Sequence, residues 1–154
     1  MNNSTIPAIR PAKPEDALLI RDFQLEMAWE TEKIRLDGEI TLKGVHAVFA
    51  DPSKGRYYIA MIQKTIAGSL LVTPEWSDWR NRQILWIQSV FVLPEYRKQG
   101  IFKALYKNLL KEVMEDETVG GIRLYVDKTN LLAQKVYHQL GMDGEHYKVF
   151  EWMK

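Results

Sequence analysis

Cysteine is absent from the 154 residues, and with it go disulfides, thiolate metal sites and any cysteine-linked acyl intermediate. Histidine is scarce: His46, His138 and His146 show no metal-ligand spacing such as H-E-x-x-H, so no metal centre is expected. Excess charge of one sign is also missing. The 21 Lys and Arg against 20 Asp and Glu leave a net charge of +1, which argues against a broad nucleic-acid surface and makes any basic site a local one. The longest apolar stretch, Ile84 to Leu93, is interrupted by Gln88 and Ser89 and falls far short of the roughly 20 residues of a membrane span. Met1 to Asp16 has no apolar segment able to act as a signal peptide. The expectation is a cytoplasmic chain with neither membrane nor nucleic acid as partner. No internal repeat, low-complexity tract or linker divides the sequence, so a single domain spanning 1–154 is expected.

What is present is 46% hydrophobic residues arranged with alternating periods. Ile6 to Arg10 is a short strand candidate ended by Pro11. Pro14-Glu15-Asp16 then opens a helix whose apolar positions Ala17, Ile20, Leu25 and Ala28 run to about Trp29. Asp37-Gly38 reads as a turn before a second helix at Thr41 to Ala50. Tyr57 to Gln63 and Ile66 to Thr73, stopped by Pro74, form a hairpin. Gln83 to Val92 is apolar enough for a strand covered on both faces. Ile101, Leu105, Leu109 and Val113 form the buried stripe of a helix that carries Lys103, Lys107 and Lys111 elsewhere on its surface. Ile122, Leu124 and Val126 alternate as a strand, Leu132, Val136 and Leu140 mark a last helix capped by Gly141, and Val149 to Met153 reads as a closing strand. Strand, helix, strand over Gln83 to Val126 predicts a right-handed parallel crossover. The fold class expected is α/β, with a mixed, mostly antiparallel central sheet, one parallel crossover and helices on both faces.

Two segments carry chemistry. In Val90-Phe91-Val92-Leu93-Pro94-Glu95-Tyr96-Arg97-Lys98-Gln99-Gly100-Ile101-Phe102, an apolar strand passes through a basic loop into a helix. Such a junction aims unpaired backbone N–H groups and the positive end of a helix dipole at one place, which suits a phosphate. It lacks the G-x-x-x-x-G-K-[ST] order of a nucleoside-triphosphate loop. The second segment, Asn130 to Met142, sets Asn130, Ala133 and Tyr137 along nearly one side of a helix: an amide, a small gap and a phenol. His138 points about 100° away from Tyr137 around that helix.

Together these segments and the order of elements resemble the GCN5-related N-acetyltransferase (GNAT) superfamily over nearly the full length, and the resemblance implies acetyl-CoA as co-substrate. The family motif is Gln or Arg, two residues, Gly, one residue, then Gly or Ala. It is met here by Arg97 and Gly100, with Phe102 where a small residue is usual. By resemblance, Val90, Phe91, Val92, Arg97, Lys98, Gln99, Gly100, Ile101, Phe102, Asn130, Ala133 and Tyr137 bind the CoA portion. The strand before the loop splays from its neighbour to admit the pantetheine arm, and Tyr137 acts as general acid to the departing thiolate. A phenol of pKa ~10 is a workable donor to a thiolate whose conjugate acid has pKa ~8 to 9.

The family's usual glutamate on the central strand is missing, since the inward candidates are Trp86, Gln88 and Ser89; Glu30, Glu32, Glu75 and Asp78 are the alternative bases. Glu26, Glu30, Glu32, Asp37 and Glu39, with Trp29, Trp76 and Trp79, suit a cationic acceptor held by carboxylates and indole faces. Glu30, Glu32, Trp76 and Gln88 are the acceptor contacts expected. The implied activity is direct transfer of acetyl to a primary amine, small or peptidyl, in a ternary complex, with a homodimer as one expected assembly. The alternative is a non-catalytic CoA-binding or interaction module with a degenerate fold of the same kind.

Overall fold

In the computed structural model, which describes residues 6–154, Ala8–Pro11 forms β1 and a single 3₁₀ turn follows at Pro14–Asp16. The Asp16 carboxylate accepts from Arg10 at 2.7 and 2.9 Å and from the Lys13 N–H at 2.7 Å, which locks the entry to α1 (Ala17–Glu32). α2 (Gly38–Ala50) begins three residues earlier than the apolar pattern indicates. The Asp37 side chain caps it by accepting from the Glu39 and Ile40 N–H groups. β2 (Arg56–Ile62), β3 (Thr65–Ser77) and β4 (Arg82–Val92) form an antiparallel meander with β1. α3 (Ile101–Glu115) then crosses over to β5 (Val119–Arg123), which pairs parallel with β4, giving the order β1-β2-β3-β4-β5.

The chain through Arg123 is one compact unit, and Leu124–Lys154, containing α4 (Leu131–Gln139), is a second. In the first unit the helices cover both faces of the sheet. Ala17, Ile20 and Val45 of α1 and α2 pack with Tyr57 and Ile59 of β2. Tyr58, which points the other way along the same strand, donates its hydroxyl to Glu112 of α3. Ile101, Leu105 and Leu109 are buried along α3, the stripe read from their spacing, and each such side chain contributes roughly 1.5–3 kcal/mol on burial.

Three departures from the sequence reading bear on function. Pro74 does not stop β3; it pairs with Leu85 of β4, whereas β2 pairs with β3 no further than Val72, so the proline's missing N–H falls on an unpaired edge. β4 carries a bulge: Gln88 faces Leu71 and Phe91 faces Ser69, so Ser89 and Val90 together oppose Leu70, and Ser89 takes a left-handed φ of 45°. Val149 to Met153 forms no strand. An apolar, aromatic run is only a prerequisite for a strand, which exists by pairing, and these residues join none of the five strands of the sheet.

Candidate acyl-CoA site

The cradle is built from the end of β4 outward. The Leu93 N–H donates to the Ala67 carbonyl at 2.9 Å, so the two-residue period of the ladder turns the backbone of Phe91 toward β3 and that of Val92 away from it. β5 pairs with β4 only from Gln83 to Trp86, so no strand of the sheet lies beside Val92 on that edge. Its carbonyl accepts instead from Arg97 Nε at 2.9 Å. The sheet thus opens along Ile87–Val92, as the resemblance implies for a splayed strand.

Beyond it, a 3₁₀ turn at Pro94–Tyr96 delivers the chain to Lys98 at φ 61° and Gly100 at φ 78°. The first helical bond of α3 runs from the Ala104 N–H to the Gly100 carbonyl at 2.9 Å. The N–H groups of Lys98, Gln99, Gly100 and Ile101 therefore have no acceptor among the described residues, and all lie at the positive end of the helix. A left-handed residue followed by a right-handed one makes the concave array of amides that takes up anionic oxygens. Gly100 is needed for its backbone conformation, since a Cβ placed there meets no atom within 4 Å. Ile101, 2% exposed, anchors the helix start beside Gly68, where an added Cβ would lie 2.7 Å from the Phe91 carbonyl. Phe102 lies along α3 with its ring 6.2 Å from that of Tyr106. These features fit a pyrophosphate held by main-chain donors.

Arg97 is the most constrained side chain of the loop. Beside the bond to Val92, its Nη2 donates to Glu30 Oε2 at 2.7 Å, and its guanidinium carbon stands 5.6 Å from the centre of the Phe91 ring. Phe91 in turn packs on Phe23 of α1 at 4.9 Å.

In the C-terminal unit, Asp127 Oδ1 accepts from the Thr129 N–H and hydroxyl, and Gln134 Nε2 bonds the carbonyls of Asp127 and Lys128, which pins the turn into α4. Asn130 is the N-cap, its Oδ1 accepting from the Ala133 N–H at 3.1 Å, so it stands at the helix end and not on its side. Ala133 and Tyr137 share a face four residues apart. Burial pushes the Tyr137 phenol above its ordinary value, which keeps it protonated at neutral pH. The helix closes with Gly141 at φ 85°, the Gly141 N–H reaching the His138 carbonyl and the Met142 N–H that of Tyr137.

The expected acceptor contacts are not gathered at one point. Glu30 is engaged by Arg97, and Glu32 ends α1 in solvent. Gln88 donates to Thr73 Oγ1 at 3.2 Å on the α1 and α2 side of the sheet. Trp76 pairs with Gln83, five residues from Gln88 along β4 and so about 17 Å away along the strand. Of the other candidate bases, Glu75 is held by Arg123 at 2.6 Å, and Asp78 accepts from the Trp79 N–H. The Trp29 ring is covered by Lys33 and Arg35, at 5.6 and 5.1 Å from its centre. Beside the Arg97–Glu30 pair, two features went unread in the sequence. The Arg123–Glu75 pair joins β5 to β3 across β4, and the bulge at Ser89 has no signature beyond a polar pair inside an apolar run.

A mixed sheet opened at a bulged strand, followed by an amide cradle at a helix start, is an acetyltransferase class of fold. The chain belongs to the acetyltransferase (GNAT) family, whose model matches residues 17–142. It is similar to the crystal structure of a possible acetyltransferase from Clostridium difficile 630, at 38% identity and TM-score 0.89, over 97% of this chain and 98% of that one. The fold is shared at 18% identity and TM-score 0.72 with a predicted acetyltransferase with acetyl-CoA from Clostridium acetobutylicum, over 94% and 96% of the two chains. It is shared at 14% identity and TM-score 0.77 with a ribosomal-protein-alanine N-acetyltransferase from Brucella melitensis biovar Abortus 2308, over 96% and 99%.

Proposed function

We propose that the protein transfers an acetyl group from acetyl-CoA directly to the nitrogen of a primary amine. The observation that carries this reading is the opened edge of β4 leading into four main-chain donors at Lys98–Ile101. Bound acetyl-CoA supplies a thioester whose carbonyl carbon forms a C–N bond with the amine as its C–S bond breaks, the sulfur leaving as thiolate. The amides of Lys98 to Ile101 hold the pyrophosphate, and the Val92 N–H on the open edge polarises the thioester carbonyl as an oxyanion donor. Tyr137 gives its phenolic proton to the leaving sulfur. The amine's surplus proton passes to water, because Glu30 and Glu75 are engaged in ion pairs and β4 bears no carboxylate. Gln88 contacts the acceptor amine, Glu32 at the exposed end of α1 attracts a cationic acceptor without touching its reacting nitrogen, and Trp76 serves only a long acceptor. The chain acts as a single acetyltransferase domain, in the cytoplasm.

Acetyl-CoA at a hundred times its dissociation constant should stabilise the fold by ~2.7 kcal/mol, which is roughly 5–10 °C in melting temperature for a chain of this size. An amine screen that detects released CoA thiol then separates an enzyme from a binding module, and the absence of cysteine leaves no protein thiol background. A folded protein with no thermal shift at millimolar acetyl-CoA overturns the reading. A shift without thiol release for any amine makes the protein a binding module.

A further inference from the structure

The guanidinium of Arg97 turns one edge inward: Nε donates to the Val92 carbonyl at 2.9 Å and the adjacent Nη2 to Glu30 Oε2 at 2.7 Å, with the Phe91 ring beneath. The side chain retains only its outer Nη1–Nη2 edge for a phosphate. Otherwise it is committed to three pieces of the protein, namely the end of β4, the last turn of α1 and the aromatic contact between them. The residue that follows, Lys98, is left-handed, and the amides without acceptors begin there. We infer that Glu30 is a positioning residue for the cradle: acting through Arg97, it braces the loop so that the Lys98–Ile101 amides converge before ligand arrives, and so sets affinity for acetyl-CoA instead of selecting the acceptor.

This inference rests on the proposed function for its ligand but not for its mechanism. The two partners are 41% and 40% exposed, so their pair alone is worth little, and the gain lies in ordering a loop that otherwise loses conformational entropy on binding. The two sides of the brace therefore act as one unit. Removing Arg97 takes away all three contacts, so removing Glu30 as well should add nothing to the effect of removing Arg97 alone.

Two measurements test it. Hydrogen exchange in the free protein should show the Arg97 and Ala104 amides, bonded to the Pro94 and Gly100 carbonyls, exchanging several-fold faster in Glu30→Ala, while amides of β2 and β3 are unchanged. Titration calorimetry should show the acetyl-CoA dissociation constant rising about fivefold in Glu30→Ala, with Glu30→Asp recovering part of the loss and the double variant with Arg97→Ala no weaker than Arg97→Ala alone. Unchanged exchange at the loop overturns the brace whether or not acetyl-CoA binds. Tighter acetyl-CoA binding in Glu30→Ala makes Glu30 a competitor of the phosphate and overturns it too, as does a change confined to the acceptor's KM. If the wild type fails to bind acetyl-CoA, the functional reading falls, and the exchange measurement alone decides the brace.

Discussion

Two residues hold protons whose positions have measurable consequences. Tyr137→Phe keeps the ring and removes only the hydroxyl, so the fold and the acetyl-CoA affinity should survive. The single-turnover rate of acetyl transfer should fall by ~10²-fold, the worth of a positioned general acid. An unaltered single-turnover rate assigns Tyr137 to packing and leaves water or the acceptor to protonate the sulfur. Tyr58 tests stability. Burial, together with donation to the Glu112 carboxylate, pushes its phenol up to about 12. A group whose folded pKa is raised contributes while the unfolded group would still be protonated, so this stabilisation is complete below about pH 10. It is lost as pH rises through about 12, and is on the order of 2 kcal/mol. Urea unfolding between pH 8 and 11.5 should show a steeper alkaline loss for the wild type than for Tyr58→Phe; parallel curves would remove Tyr58 from the account.

At the scale of elements, the sequence was most legible where one period is held for several turns. The α3 stripe Ile101, Leu105 and Leu109 is buried as its spacing requires, and the crossover into β5 is parallel because a helix lies between the two strands. What could not be read depends on partners. Pro74 sits inside β3 because only one neighbour pairs with it there, and Val149–Met153, apolar but for Glu151, does not join the sheet. Within the site, the cradle was visible because a strand, a glycine and a helix are local signals. The Arg97–Glu30 pair joins residues 67 positions apart and leaves no local trace. The bulge at Ser89 is the sharpest case, since its left-handed φ of 45° suits glycine better than serine. Ser89→Gly should leave stability within ~1 kcal/mol of the wild type, whereas Ser89→Val, β-branched in a left-handed conformation, should lose ~1–3 kcal/mol in denaturant unfolding. Equal stability for the two variants would show that the bulge does not constrain this position.

For the whole molecule, the distribution of carboxylates predicts how the reaction responds to pH. With Glu30 and Glu75 paired to Arg97 and Arg123, the acceptor must arrive already deprotonated or lose its proton to solvent. The value of kcat/KM for the amine should therefore climb with pH toward the amine's own pKa of ~10 instead of levelling near 6 to 7. A plateau in that lower range would reveal a base on the protein, with Glu32 and Asp78 the first to replace. The bulge has one more consequence, a matter of parity. Gln88 and Phe91 are three residues apart, an odd interval that would set them on opposite faces of an unbroken strand, yet through Leu71 and Ser69 both face α1 and α2. Deleting Ser89 would shorten the interval to two, which keeps Gln88 and Phe91 on one face of a regular strand: Phe91 would stay on Phe23, and only the bulge would go. The extra residue is thus dispensable to the core: a chain lacking Ser89 should still unfold cooperatively in urea, whereas one lacking both Ser89 and Val90, an interval of one, turns Phe91 to the other face and should not fold.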